Sequence, residues 1–228
     1  MESARLNRAA LLGGAAAWAV ALGLPADAAA PAGATVSAGD ALERLEEGNE
    51  RFVSGRLKNV SNIEERRVAL AGGQSPYATI LACSDSRTPP ELIFDANVGE
   101  LFVVRIAGNY VTDDSLGTIE YGFGNLGSNL LLVMGHASCG AVQATYDSIK
   151  TGKALPPHLN ALATAIGPGI ESIVRQGGSL NAAIKANVRA QVAAALSHSP
   201  VLKKGVASRT LRIVGATYNL EKGKVTIL

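Results

Sequence analysis

The sequence predicts an α/β domain: a mostly parallel sheet of four strands plus an antiparallel edge strand, flanked by helices. Three observations carry that prediction. Short apolar runs alternate with stretches of helical period, the pattern of crossover-connected strands. The connections between runs are long enough to return the chain for parallel pairing, which a hairpin turn cannot do. The chain has 228 residues and is 47% hydrophobic, enough for one full core.

Taken in order, Ala38 to about Arg56 reads as a helix, with Ala41, Leu42, Leu45, Phe52 and Val53 at helical spacing and Asp40 as its expected cap. A second helix is expected over Asn62–Leu70, ending at Gly72-Gly73. Strand one is Tyr77–Cys83, and Pro89-Pro90-Glu91 suits a helical first turn, where proline's missing N–H costs nothing. Strand two is Leu101–Ile106, followed by a helix opened by Asp114-Ser115 and running towards Gly127. Strand three is Asn129–Gly135, with a helix from Cys139 towards Lys150. After the Leu155-Pro156-Pro157 break, helices are expected over His158–Gln176 and Ser179–Ser197, the second stopped by Ser199-Pro200. Strand four is Thr210–Ala216, and Lys224–Leu228 is the antiparallel edge.

Residues 1–30 read as a secretory signal peptide: Arg5 and Arg8, an apolar Ala9–Leu24 stretch, then small residues around Asp27. The stretch is shorter than the roughly 20 residues that span a bilayer. Residues 31–37 read as a linker and 38–228 as the functional domain, exported to the periplasm or secreted, with no membrane association after cleavage. The arginines are not adjacent, so twin-arginine export has weak support. Net charge is +2, with no basic run interleaved with aromatics, so a nucleic-acid partner has no electrostatic basis.

The two cysteines carry the chemistry. Cys83 lies in Cys83-Ser84-Asp85-Ser86-Arg87 and Cys139 in His136-Ala137-Ser138-Cys139-Gly140, each just after an apolar strand. Export would favour a disulfide between them. A disulfide, however, has no use for Asp85 and Arg87 beside one partner or His136 beside the other. Two thiolates and one imidazole with a fourth position open are the composition of a catalytic zinc site. Ligands of open parallel sheets bind beyond the carboxyl ends of the strands, where Cys83 and His136 are expected. If the chain stays extended past Cys83, the strand period of two points Cys83, Asp85 and Arg87 to one side. A zinc ion held this way lowers the pKa of its bound water and makes it a nucleophile. Two thiolates donate more charge than imidazoles would, so a less acidic water and activity that grows toward alkaline pH are expected. Asp85 would accept that hydroxide's proton in a hydrogen bond, and Arg87 would hold Asp85 ionised.

With those residues in place, the chain resembles the β-class carbonic anhydrases. Their zinc signature, Cys-x-Asp-x-Arg followed about fifty residues on by His-x-x-Cys, reads here as Cys83-Ser84-Asp85-Ser86-Arg87 and His136-Ala137-Ser138-Cys139. Similarity also runs through Gly73-Gln74-Ser75-Pro76, Phe102-Val103-Val104-Arg105, Ala107-Gly108-Asn109 and Ile119-Glu120-Tyr121. The resemblance implies one Zn2+ per subunit on Cys83, His136 and Cys139, with Asp85 and Arg87 as catalytic dyad. It implies substrate contacts from Gln74, Phe102, Tyr121 and the Gly140 amide, the two aromatics reaching across a dimer interface. A solvated loop for Gln74 and an ordinary core for the two aromatics are the plainer roles for the same residues. The resemblance further implies a homodimer or higher even-numbered oligomer, with the Ala38–Arg56 helix packing over the partner.

The implied reaction is reversible hydration of CO2 to bicarbonate and a proton. Hydrolysis of carbonyl sulfide or carbon disulfide on the same scaffold is an alternative, as is a non-catalytic zinc- or bicarbonate-binding module. Storage needs only ligands, so Asp85, Arg87 and Gln74 speak for catalysis. The family's closed-site members use a tryptophan in a bicarbonate pocket. The one tryptophan here is Trp18, inside the leader, so an open, plant-like site is expected.

Overall fold

The computed structural model describes residues 36–58 and 62–228. The expected leader, with Trp18, and residues 31–35 of the linker lie outside them. Five strands form one sheet: β1 (Ala78–Ala82), β2 (Leu101–Arg105), β3 (Leu130–His136), β4 (Arg212–Tyr218) and β5 (Val225–Ile227). The order is β2-β1-β3-β4-β5, with all neighbours parallel except the antiparallel β4–β5 pair. This is the architecture the sequence predicts. From β1 the chain adds β2 on one side and β3 on the other, so the order reverses at the β1–β3 pair. That reversal opens a crevice beyond the carboxyl ends of those two strands.

Eight helices surround the sheet among the described residues: α1 (Ala38–Val53), α2 (Ile63–Ala69), α3 (Pro90–Ile93), α4 (Asp113–Gly124), α5 (Gly140–Thr151), α6 (Asn160–Arg175), α7 (Leu180–His198) and α8 (Pro200–Ala207). Alternation along β3 divides the core. Leu130, Leu132 and Met134 meet α1 and α3 through Leu42, Leu45, Ile93 and Phe94. Leu131 and Val133 meet α4, α7 and α8 through Leu116, Ile119, Val188 and Leu202. A third cluster, of Val142, Ile166, Ile170, Ala183 and Ile184 from α5, α6 and α7, encloses Cys83 and Cys139.

Several details differ from expectation. Ser37 caps α1, its hydroxyl accepting from the Asp40 amide at 3.1 Å. Asp40 instead occupies the first turn, where a negative charge suits the helix dipole. Ser199-Pro200 does stop α7, but it also starts α8: Ser199 accepts from Leu202 N, and Pro200 takes the first-turn position that needs no donor. Strand four begins two residues late because residues 208–211 turn, with Thr210 N and Leu211 N both on Gly205 O. No helix among the described residues is long and apolar enough to cross a membrane.

Candidate metal centre

Cys83 follows β1, His136 ends β3, and Cys139 is the residue from which α5 departs. All three are buried. The sheet brings the first two together: Ala82 ends β1 in register with Met134, two residues before His136 ends β3, so Cys83 and His136 emerge side by side. Ser138 lies between the other two at φ +55°, a left-handed turn that folds Cys139 back towards His136. The ligand atoms of Cys83, His136 and Cys139 all lie within 4.8 Å of one another.

The donor set fits a tetrahedral cation. The two cysteines are free, and their Sγ atoms are 4.0 Å apart. Two sulfurs bound at about 2.3 Å to a tetrahedral zinc would be about 3.8 Å apart. The second observation is an orphaned nitrogen. His136 Nδ1 lies 2.9 Å from Ala137 O and so carries the proton that bonds it, which leaves a lone pair on Nε2. Nε2 is buried and has no hydrogen-bond partner, a cost removed when it ligates a metal.

The protein concentrates negative charge here. The Cys83 thiol is pushed down, first by its hydrogen bond with Cys139 and, against burial, by the His136 ring and the Gly108 amide. Gly108 N donates to Cys83 Sγ at 3.2 Å. Cys139 is pushed up, because the shared proton stays on it and because it is buried. Burial opposes a charge on His136, but the Cys83 sulfur, the Ala137 carbonyl and Asp85 outweigh it and raise its pKa. A divalent cation entering this cluster replaces protons that the sulfurs hold only in common.

Asp85 and Arg87 form the mouth. Past Cys83 the chain turns at residues 86–87 instead of running on extended. The turn still brings the pair together: Asp85 Oδ1 accepts from Arg87 N and Nε, both at 2.9 Å, and Oδ2 accepts from Nη2 at 2.7 Å. The guanidinium beside it holds the Asp85 carboxyl well below the usual carboxylate range. Asp85 Oδ2 lies 3.8 Å from His136 Nε2, so the carboxylate borders the ligand cluster.

This constellation sits in a family. Residues 78–225 match the family model described as carbonic anhydrase. The chain belongs to the β-class carbonic anhydrases. It is 37% identical over 188 residues to carbonic anhydrase 2 of Mycobacterium tuberculosis, covering 82% of this chain and 91% of that protein. It is 33% identical over 171 residues to a carbonic anhydrase of Pseudomonas aeruginosa, covering 70% and 76%. Among solved structures it resembles the β-carbonic anhydrase CcaA, with TM-score 0.66, 26% identity and coverage of 83% and 88%. The β-carbonic anhydrase of Coccomyxa in complex with acetazolamide is similar: TM-score 0.65, 26% identity, coverage of 82% and 86%. Tetrameric β-carbonic anhydrases of Sordaria macrospora share the fold, with TM-score 0.66 at 20% identity and coverage of 83% and 97%.

Within this β-carbonic anhydrase chain, the residues named from sequence divide into two groups. Cys83, Asp85, Arg87, His136 and Cys139 come together, with Gly140 as the exposed first residue of α5 beside them. Gln74, Phe102 and Tyr121 do not join them. Gln74 is exposed and precedes the amino end of β1. Phe102 is in register with Thr79, four residues before Cys83 and hence about 13 Å back along the strand. Tyr121 on α4 lies against it, ring centroids 6.1 Å apart, and is 50% exposed. One residue at the centre has no role in the sequence reading. Arg105, at the end of β2, donates to Cys83 O at 3.0 Å and Asp85 O at 2.6 Å, fixing the backbone of the signature from the sheet edge. Its signal was a single arginine closing an apolar edge strand.

Proposed function

We propose that this chain catalyses the reversible hydration of carbon dioxide to bicarbonate and a proton, with one zinc ion held by Cys83, His136 and Cys139. The observation that carries the reading is the cluster itself, two free sulfurs and a partnerless imidazole nitrogen beside an ionised, arginine-braced aspartate. When bound, the metal supplies a Lewis acid that lowers the pKa of water and makes it nucleophilic.

The chain's own groups do the rest. Asp85 stays ionised and accepts a hydrogen bond from the attacking water, aiming the oxygen lone pair at the carbon of CO2. Arg87 fixes the carboxylate through two side-chain bonds and one backbone bond, so the geometry is set before substrate arrives. The oxygen–carbon bond forms, the proton leaves to solvent buffer, and bicarbonate departs through the mouth. Val142, Ile166, Ile170 and Ile184 pack around the two cysteines, so the inner side of the cluster is apolar, which suits a nonpolar gas.

Both Asp85 oxygens are taken up by Arg87, which supports the open arrangement, with the fourth ligand position left to water. Placement of Gln74, Phe102 and Tyr121 at the far end of the sheet supports a homodimer or higher even-numbered oligomer in which they serve a second copy's site. Export to the periplasm rests on the leader pattern of residues 1–30. A role outside the inner membrane would then be inorganic-carbon uptake or pH handling.

The test is stopped-flow CO2 hydration by purified protein, with zinc counted per subunit and a chelator control. Fast hydration that is lost with the metal and in Cys83→Ser supports the reading. Weak CO2 turnover beside fast carbonyl sulfide hydrolysis overturns it.

A further inference from the structure

The metal loop is braced from behind by two buried amides. Asn187 and Gln191 lie four residues apart on one face of α7 and are 0% and 4% exposed. Their hydrogen bonds run in one direction. Val111 N, which can only donate, bonds Gln191 Oε1 at 2.9 Å and so fixes which end of that amide is oxygen. Gln191 Nε2 then donates to Asn187 Oδ1 at 3.1 Å, which fixes the second amide. Asn187 Nδ2 donates to Gly108 O at 3.0 Å, and Gly108 N reaches Cys83 Sγ at 3.2 Å.

The pair therefore grips both sides of one short loop, at Gly108 and Val111. In that loop Gly108 and Asn109 are consecutive left-handed residues, at φ +86° and +45°, a conformation that glycine adopts freely and asparagine more readily than most residues. Polar side chains buried this deeply are costly unless satisfied, and the other buried residues of α7, Ala183, Ile184, Val188 and Ala195, are all apolar.

We propose that Asn187 and Gln191 are positioning residues of the metal centre: they set the Gly108 amide on the Cys83 sulfur and so control how firmly that thiolate holds the cation. Both act through the loop and touch neither metal nor substrate. The assignment rests on the cluster being the metal site. Partners that orient metal ligands change affinity by roughly 10- to 100-fold when removed.

The experiment compares wild type with Asn187→Leu, Gln191→Leu and Leu202→Ala. Leu202→Ala is a core truncation on α8, away from the loop. Two readouts are zinc release to a chromophoric chelator and the sulfur-to-cobalt charge-transfer band of the Co2+-loaded protein. Asn187→Leu is expected to release zinc roughly tenfold faster and to move the cobalt band to longer wavelength, because the sulfur loses an N–H donor. Gln191→Leu keeps the Asn187–Gly108 bond and removes its brace; a smaller change in the same direction is expected, and this variant decides the matter if Asn187→Leu does not fold. Wild-type release and an unmoved band in the folded variants overturn the proposal. So does the same change in Leu202→Ala. Failure of wild type itself to take up one zinc, or uptake that survives Cys83→Ser, overturns the site assignment first and this proposal with it.

Discussion

Gly108→Ala tests how tightly the structure closes around the metal loop. An alanine there must hold φ +86°, and its Cβ would stand 2.6 Å from Ile166 Cδ1 and 3.1 Å from Ala141 Cβ. The left-handed backbone costs about 1–2 kcal/mol, and the overpacking about 1–3 kcal/mol. Together they predict a loss of about 2–5 kcal/mol, or a Tm roughly 5–15 °C lower for a domain of this size. The closest contact is with a single methyl group, the one that Ile166→Val deletes. Ile166→Val alone should cost about 0.5–1.5 kcal/mol. In the double variant the clash is relieved while the strained φ remains, so the two changes should fall short of additivity by about 1–2 kcal/mol. Urea unfolding of the four proteins measures this directly. Strict additivity, or a neutral Gly108→Ala, would refute the packing argument.

Four further outcomes are expected. Gly48→Ala on α1 would place a Cβ 1.8 Å from Phe94 O, a backbone atom that cannot rotate away. It should lower stability by about 3 kcal/mol or more, read by thermal unfolding; an unchanged Tm would mean α1 does not pack on its own α3. Asn49→Leu deletes bonds to Ile93 O, which ties α1 to α3, and to Gly223 O and Val225 N, which tie it to the β5 edge, and should cost about 2–4 kcal/mol in the same assay. The third outcome concerns pH. Arg87 depresses the Asp85 pKa, so its contribution to stability is present above the ordinary value of about 3.9 and is lost as pH falls through the lower folded value. In Arg87→Gln the folded value rises, so the acid-unfolding midpoint should move to higher pH; coincident midpoints would contradict this. Finally, Tyr121→Glu places a charge on the half-exposed aromatic pair at the far end of the sheet and should split the proposed oligomer in sedimentation; an intact assembly would place the contact elsewhere.

The fold was legible because its strands are short, apolar and separated by helical periods. Local steric signals were harder to read. Ser199-Pro200 ends one helix and begins another because proline is costly in a helix interior yet suits the first turn of α8. The site's ligands could be read from residue chemistry: Cys83, His136 and Cys139 have few other uses together. Asn187 and Gln191 could not, because nothing in their neighbours announces that a buried amide will meet the backbone of a loop tens of residues away. Gln74, Phe102 and Tyr121 mark a different boundary. Their roles come from resemblance, and a single chain holds them apart from the metal cluster.

The most direct test of the account is X-ray absorption at the zinc edge of purified, active protein, beside a thiol count of the same sample. Two sulfur scatterers at about 2.3 Å and a histidine nitrogen at about 2.0 Å are expected on each zinc, with the sulfur signal halved in any zinc that Cys139→Ser retains. A zinc shell without sulfur, or a Cys83–Cys139 disulfide in protein that still hydrates CO2 at full rate, would contradict it.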